Sequence, residues 1–213
     1  MAAADHTHDR PPVPSIGKAR LETLVDGVFA IAMTLLVLEI RVPEGASENV
    51  LAGLGQLWPS FLAYALSFAN LGVFWVGHHS QFDAIRRTNR TSIWLNIGFL
   101  VFVSLIPFST ALLAAHTGDR AAVVFYGANL LAAGLMLYAN WRYATDHHRL
   151  TDHNVPDALV RLGGLRVLTG VVALTVAIAA AMVDTRISLA IFLLIPAYYV
   201  FPGGVDKLWA RAA

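Results

Sequence analysis

The chain has 213 residues, of which 57% are hydrophobic and 14% are charged, and it contains no cysteine. Soluble domains are about 45–50% apolar with about 25% charged residues, so this composition, with a mean hydropathy of +0.60, excludes an ordinary soluble domain. It predicts an integral membrane protein. The lack of cysteine excludes disulfides, thiolate zinc sites and cysteine nucleophiles, and a net charge of +1 gives no basis for a nucleic-acid partner.

Three regions follow from the distribution of apolar residues along the chain. Residues 1–17 are polar and rich in proline and histidine, which predicts a disordered cytoplasmic arm rather than a signal peptide. Residues 18–206 hold the apolar segments and form the predicted transmembrane domain. Residues 207–213 are predicted to form a short cytoplasmic tail.

Six apolar segments are long enough to cross a hydrocarbon core of about 30 Å, which takes about 17–25 helical residues. Prolines at positions 107 and 196 fall inside the third and sixth segments, where neighbouring helices can satisfy the freed backbone groups. We therefore expect an all-α integral membrane protein with six transmembrane helices. The predicted spans are residues 21–42, 50–77, 91–115, 121–141, 162–183 and 187–205.

The positive charges are distributed very unevenly between the two sides of these spans. Eleven lysine and arginine residues lie in the N-terminal arm, the second loop, the fourth loop and the C-terminal tail, whereas three lie on the other side. Cytoplasmic loops carry the excess of positive charge. Both termini are therefore expected in the cytoplasm, as an even number of spans requires.

The first predicted span combines an aliphatic stripe with a carboxylate. At 100° per residue, one helix face carries Leu24, Gly27, Ile31, Thr34, Leu35, Leu38 and Val42. Asp26 points away from this stripe, and a carboxylate inside a span normally faces protein or water. By themselves these features also fit ordinary helix packing, with Arg20 and Asp26 as internal polar contacts.

The first span resembles a motif of the transmembrane protein 175 family of potassium channels. The family pattern is an arginine, three residues, Phe-Ser-Asp, a small residue and an aliphatic run ending near Leu-Glu. Arg20, Asp26, Gly27 and the run from Phe29 to Glu39 fit this pattern, whereas Leu24 and Val25 replace the Phe-Ser pair.

The resemblance continues in the next two spans. The stretch from Phe74 to Phe82, which includes Trp75 and His78, resembles the end of the family's second helix. Asn96 and the run from Leu105 to Phe108 resemble its third helix. The length and the span count match the bacterial single-repeat form of the family.

The resemblance implies a homotetramer in which the first helices of four subunits surround a path for K⁺. In that family the narrowest part of the path is aliphatic, and by position it falls on Ile31, Leu35 and Leu38, with Thr34 beside them. K⁺ is then the permeant ion, and the chain has no bound cofactor. Glu39 either attracts cations at the outer mouth or pairs with Arg41.

Arg20, Asp26, Trp75, His78 and Asn96 are expected to form a polar network that positions the pore helix. A cation- or proton-coupled secondary transporter with Asp26 as its protonatable site is the alternative, because prolines in the third and sixth spans hint at two related halves.

No enzyme is predicted, since HExxH, Walker and Gly-x-Ser-x-Gly motifs are missing from the sequence. The histidines of the fourth loop, His147, His148 and His153, are read as solvated residues and not as a metal site. The expected location is a prokaryotic plasma membrane, where lipid surrounds the protein.

Overall fold

The computed structural model describes residues 17–41, 50–152 and 154–201, and in these ranges the chain is almost entirely helical. The expected arm before residue 17 and the expected tail after residue 206 lie outside the described residues. Seven α-helices follow one another within these ranges: α1 (Lys18–Leu35), α2 (Val50–Gln56), α3 (Trp58–Ala84), α4 (Arg90–Ala115), α5 (Arg120–Thr145), α6 (Asp157–Ala181) and α7 (Thr185–Val200).

Five of these helical stretches are long and apolar enough to cross a membrane. They are Lys18–Glu39, Trp58–Ala84, Arg90–Ala115, Arg120–His148 and Asp157–Ala181. Helix α7 is apolar but has only 16 residues, slightly fewer than the usual minimum for a span. The chain is therefore a multi-pass membrane protein, and its sixth span stays a prediction.

The second predicted span, residues 50–77, is wrong in its limits. The structure divides it into the short helix α2 and the long helix α3, with Leu57 between them in a turn. Pro59 occupies the first turn of α3, a position that proline tolerates because its missing N–H would have no helical partner there. Helix α3 then continues to Ala84, seven residues beyond the predicted limit, so that Gln81 also belongs to it.

The first span also differs from the prediction, because α1 ends at Leu35 and a 3₁₀ segment covers Leu36–Glu39. Thr34 donates its hydroxyl to the carbonyl oxygen of Ile31 at 2.9 Å, a local bond that competes with regular helix hydrogen bonding. Pro43 lies shortly beyond and disfavours helical conformation in the residue before it.

The helices pack in a bundle with α5 near its centre. Helix α5 lies against α4 on one side and α6 on the other, α6 lies against α7, and α1 packs on α3 and α4. Tyr126 of α5 meets Phe192 of α7 edge to face, with ring centroids 5.4 Å apart. The largest buried side chains of this core are Tyr126, Phe29, Phe99 and Phe192.

Side-chain caps begin several of these helices. Asn89 and Ser92 form a reciprocal capping box at the start of α4, and the carboxylates of Asp119 and Asp184 accept backbone N–H groups at the starts of α5 and α7. Each cap satisfies donors that the first helical turn leaves open. These caps fix where the loops between the long helices end.

Candidate functional site: the exposed face of the first helix

Helix α1 packs on the bundle through only one of its faces. Leu21, Val25, Phe29, Ala32 and Leu36 recur at helical spacing and are all buried against α3 and α4. Val25 stands where the family motif has serine, and it is 1% exposed. An apolar side chain at this position therefore adds to the core.

The opposite side of α1 carries the aliphatic stripe, and no helix in the described residues covers it. Ile31 is 60% exposed, Leu35 is 41% exposed and Leu38 is 66% exposed. By helical geometry the stripe lies about 130° around the helix from the buried face. An added Cβ at Gly27 would meet no atom within 4 Å, so this face is open along at least three turns.

Two polar residues, Thr34 and Glu39, lie on or next to the stripe. Thr34 is exposed, and its hydroxyl hydrogen is used by the Ile31 carbonyl, so its oxygen is the group left to accept or coordinate. Glu39 ends the 3₁₀ segment and is partly exposed. Within the described ranges no ion pair joins Glu39 to Arg41.

The carboxylate of Asp26 lies beside neither the buried face nor the stripe. Its Oδ1 accepts a hydrogen bond of 2.9 Å from Nε1 of Trp75 on α3. Trp75 in turn stacks on His79, with ring centroids 5.8 Å apart. The structure therefore brings Asp26 and Trp75 together, and this contact ties the first half of α1 to the C-terminal half of α3.

His78 and Asn96 form a second pair, which is buried in the bundle. Nε2 of His78 lies 2.8 Å from Oδ1 of Asn96, and the imidazole stacks against Phe82 and Phe99 at 4.2 and 5.7 Å. Arg20 is exposed in the first turn of α1. In the described part of the chain it makes no hydrogen bond or ion pair with the other four residues of the expected network.

Sequence reasoning missed two members of the buried network, Gln81 and Asn140. Asn96 donates to Oδ1 of Asn140 at 3.0 Å, and Asn140 donates to Oε1 of Gln81 at 3.4 Å. Gln81 then donates to the Leu137 carbonyl. Polar residues inside an apolar span are unusual and normally face a partner, which is the signal that would have identified Asn140.

The fourth loop contains no metal site among its described residues. His147 and His148 both have positive φ angles, of 48° and 52°, and His148 lies 3.7 Å from the carboxylate of Asp157. No group of three potential ligands occurs in the described ranges, and His153 lies outside them.

Comparison with known proteins gives the family of this chain. The family described as "Endosomal/lysosomal potassium channel TMEM175" matches residues 20–107. A potassium channel of Streptomyces collinus is 36% identical over 187 residues, which cover 85% of this chain and 91% of that protein. The chain belongs to the TMEM175 family. Membership of an ion-channel family agrees with the expectation that the chain is not an enzyme.

Other members of the TMEM175 family are similar in structure and in sequence. The crystal structure of a lysosomal potassium-selective channel TMEM175 homolog from Chamaesiphon minutus superposes with a TM-score of 0.76 and 33% identity, covering 86% of this chain and 96% of that one. The mouse endosomal/lysosomal proton channel TMEM175 is 34% identical over 155 residues, which cover 64% of this chain and 30% of the mouse protein.

Proposed function

We propose that four copies of this chain form a cation channel that favours K⁺ and is lined by α1. The observation that carries the proposal is the division of α1 into a buried face and an exposed aliphatic stripe. The described residues leave this face open, and four such faces arranged about one axis enclose a central path.

Ile31 and Leu35 form the constriction in this proposal, with Leu38 further along the same face. Hydrophobic rings resist conduction by dewetting and make an ion shed water to pass. K⁺ gives up its hydration at lower cost than Na⁺, so a narrow apolar ring favours K⁺ modestly. The chain has no Thr-Val-Gly-Tyr-Gly segment that would supply a carbonyl filter, and selectivity is therefore weaker than in channels that have one.

Polar side chains beside the stripe assist the permeant ion. Four copies of Thr34 present hydroxyl oxygens next to the constriction, where they coordinate an ion that has lost part of its water. Four copies of Glu39 at the outer mouth raise the local cation concentration. No bound cofactor takes part in this mechanism.

The names of the relatives support a cation channel and differ in the ion. The Streptomyces collinus protein is named a potassium channel and the mouse protein a proton channel. We propose K⁺ because the Streptomyces collinus relative, whose match covers 85% of this chain and 91% of that protein, carries that name. We also propose that the protein resides in a prokaryotic plasma membrane, and the uneven distribution of lysine and arginine favours both termini in the cytoplasm.

The transporter alternative has less support from the structure. Transporters that use inverted repeats bind their substrate at broken helices. Helices α4 and α7 instead continue through Pro107 and Pro196. Asp26 is engaged by Trp75 beside α1 and does not lie between two such helices.

The test is conduction by purified protein in liposomes with a K⁺ gradient and in planar bilayers. Wild type should give unitary currents whose reversal potential favours K⁺ over Na⁺. Ile31→Asn and Leu35→Ala should reduce that preference, because each removes part of the apolar ring. Ile187→Asn and Val172→Ala are matched controls, since both alter apolar residues that are about half exposed, on α7 and α6.

Any of three results would contradict the proposal. Equal effects of the α1 variants and their controls would remove α1 from the ion path. Saturating flux without unitary currents, abolished by Asp26→Asn, would indicate the transporter, and a reversal potential that follows a proton gradient would make the proton the permeant ion.

A further inference from the structure

A deep groove opens on the side of the bundle between α3, α5, α6 and α7. Its volume is about 580 Å³, and its walls are largely apolar, with Phe74, Leu137 and Leu174 among the lining residues. Trp75 also lines it, so that one wall of the groove is the indole that holds Asp26.

The groove lies in one half of the membrane. Its walls come mainly from the C-terminal halves of α3, α5 and α7 and from residues 163–174 of α6. Arg86 follows the end of α3, Arg142 lies in the last turn of α5 and Arg161 lies near the start of α6. Positive charge of this kind marks the cytoplasmic side. The groove therefore opens towards the cytoplasmic leaflet.

The surface around the groove faces hydrocarbon. Val76 on α3, Leu165 on α6 and Val200 on α7 are 52%, 51% and 77% exposed. Because large apolar residues surround the opening, water is not the natural occupant, and the body of any ligand held there must be apolar.

A positively charged side chain, that of Arg166, lies among the apolar walls of the groove. Arg166 lines the groove, is partly buried, and donates to the carbonyl oxygen of Tyr199 at 3.4 Å. Its guanidinium carbon lies 5.4 Å from the centroid of the Tyr199 ring. Tyr199 can lie this close to α6 because Gly170 has no side chain. A Cβ added at Gly170 would lie 2.8 Å from the Tyr199 hydroxyl.

The depth of Arg166 suits a lipid phosphate. It follows Asp157, the first residue of α6, by nine residues, or about 14 Å of helix rise. Helical side chains tilt towards the N-terminus, and a long arginine side chain reaches back to the headgroup level while its stem stays in the apolar layer. Basic pockets between transmembrane helices on the cytoplasmic side are where anionic headgroups bind.

We propose that the groove binds one anionic phospholipid of the cytoplasmic leaflet per subunit. One acyl chain occupies the apolar cleft, and the phosphate group pairs with the guanidinium of Arg166. The volume and the apolar walls of the groove suit an acyl chain, and the position of the Arg166 guanidinium suits the phosphate.

Lipid binding can be measured without ion conduction, so its failure is distinct from failure of the proposed channel. Native mass spectrometry on detergent-purified protein, titrated with phosphatidylglycerol, counts bound lipids per subunit. Wild type should bind one tightly. Arg166→Gln should raise the Kd about tenfold, as expected for loss of a charge-assisted contact. Arg161→Gln is the matched control, because Arg161 is exposed on the same helix outside the groove and should bind like wild type.

A second variant tests the apolar part of the groove with Arg166 intact. Gly72 lines the groove, and a Cβ added there would meet nothing within 4 Å, so Gly72→Phe should fill the cleft and lower phosphatidylglycerol binding without loss of the oligomer. Equal affinity for phosphatidylcholine, displacement by inorganic phosphate alone, or equal losses in Arg166→Gln and Arg161→Gln would overturn the proposal. The proposal would also be overturned if the Gly72→Phe oligomer dissociated while lipid stayed bound. That result would mean that a second copy of the chain, and not lipid, occupies the groove.

Discussion

Asp26 accepts a hydrogen bond from the indole of Trp75, and this contact spans two helices that are far apart in sequence. A carboxylate at membrane depth is costly unless a donor or water meets it. The indole N–H supplies that donor while its ring stays apolar. The pair therefore links α1 to α3 without leaving the carboxylate of Asp26 unsatisfied.

Trp75→Phe keeps an aromatic ring and removes only the donor to Asp26. If the pair positions the pore helix, this change should lower K⁺ flux severalfold and alter selectivity while the melting temperature changes little. Flux and melting of Trp94→Phe, an exposed tryptophan on α4, provide the control. Unchanged conduction in Trp75→Phe would remove the positioning role.

Asn140 and Asn129 are both buried on α5, but their hydrogen bonding differs. Asn140 links Asn96 to Gln81, whereas Asn129 donates to Ser109 at 3.2 Å and its Oδ1 has no partner in the described structure. Removing one partner from a buried polar network leaves the others unsatisfied, which costs about 1–3 kcal/mol.

Asn140→Leu should therefore lower the free energy of unfolding by about 1–3 kcal/mol, and Asn129→Leu should lower it much less. Thermal unfolding of the two variants in the same detergent compares them directly. A larger loss for Asn129→Leu would mean that the network around His78 contributes little to stability.

At the scale of elements, α5 is the central helix of the bundle and contacts α3, α4, α6 and α7. Gly127 lets α6 and α7 approach it closely, because a Cβ there would lie 2.7 Å from both Ile178 Cγ1 and Phe192 Cζ. Small residues have this role at the contacts of membrane helices. The edge-to-face contact of Tyr126 with Phe192 depends on the same approach.

Gly127→Ala should be destabilising by about 1–3 kcal/mol, because the new methyl group forces α6 or α7 outwards. Gly72→Ala is the matched control in open space, and alanine has the higher helix propensity, so its melting temperature should stay the same or rise. If both variants had the melting temperature of the wild type, the contact of α5 with α6 and α7 at Gly127 would not be tightly packed.

At the scale of the whole molecule, the proposed tetramer concerns the exposed stripe of α1. Hydrophobicity alone does not drive the apolar stripes of different subunits together in a membrane, because lipid is equally apolar. In the proposed channel, the reason for a symmetric assembly is instead the packing of open faces such as that at Gly27, together with a water-filled path that four stripes enclose.

The cysteine-free sequence makes this assembly easy to test by disulfide cross-linking. Ile31→Cys should give covalent dimers under mild oxidation, because the side chains of adjacent or opposite subunits meet at the axis, and the native mass should be four copies of the 23.0 kDa chain. Val176→Cys, which is 52% exposed on α6, should remain uncross-linked. Dimers from Val176→Cys alone would place the subunit contact on α6.

Much of the fold was readable from sequence because the bilayer restricts the choices. Without water to satisfy the backbone, apolar stretches of about 20 residues must be helices. The limits of α1 and α3 were not readable, since a local bond of Thr34 and the tolerated Pro59 decide them. The pairing of Asp26 with Trp75 was among several that sequence allowed, and spacing along one chain could not choose between them.

The sequence by itself determined that this is an all-α, multi-pass membrane protein, and the motif around Arg20 and Asp26 indicated its family. Only the tertiary structure decided which side of α1 is buried, how Gln81 and Asn140 join His78 and Asn96, and that Arg166 lines an apolar groove beside Trp75. The physical reason is that hydropathy is a property of each residue and its neighbours along the helix, whereas burial and pairing depend on which helices meet.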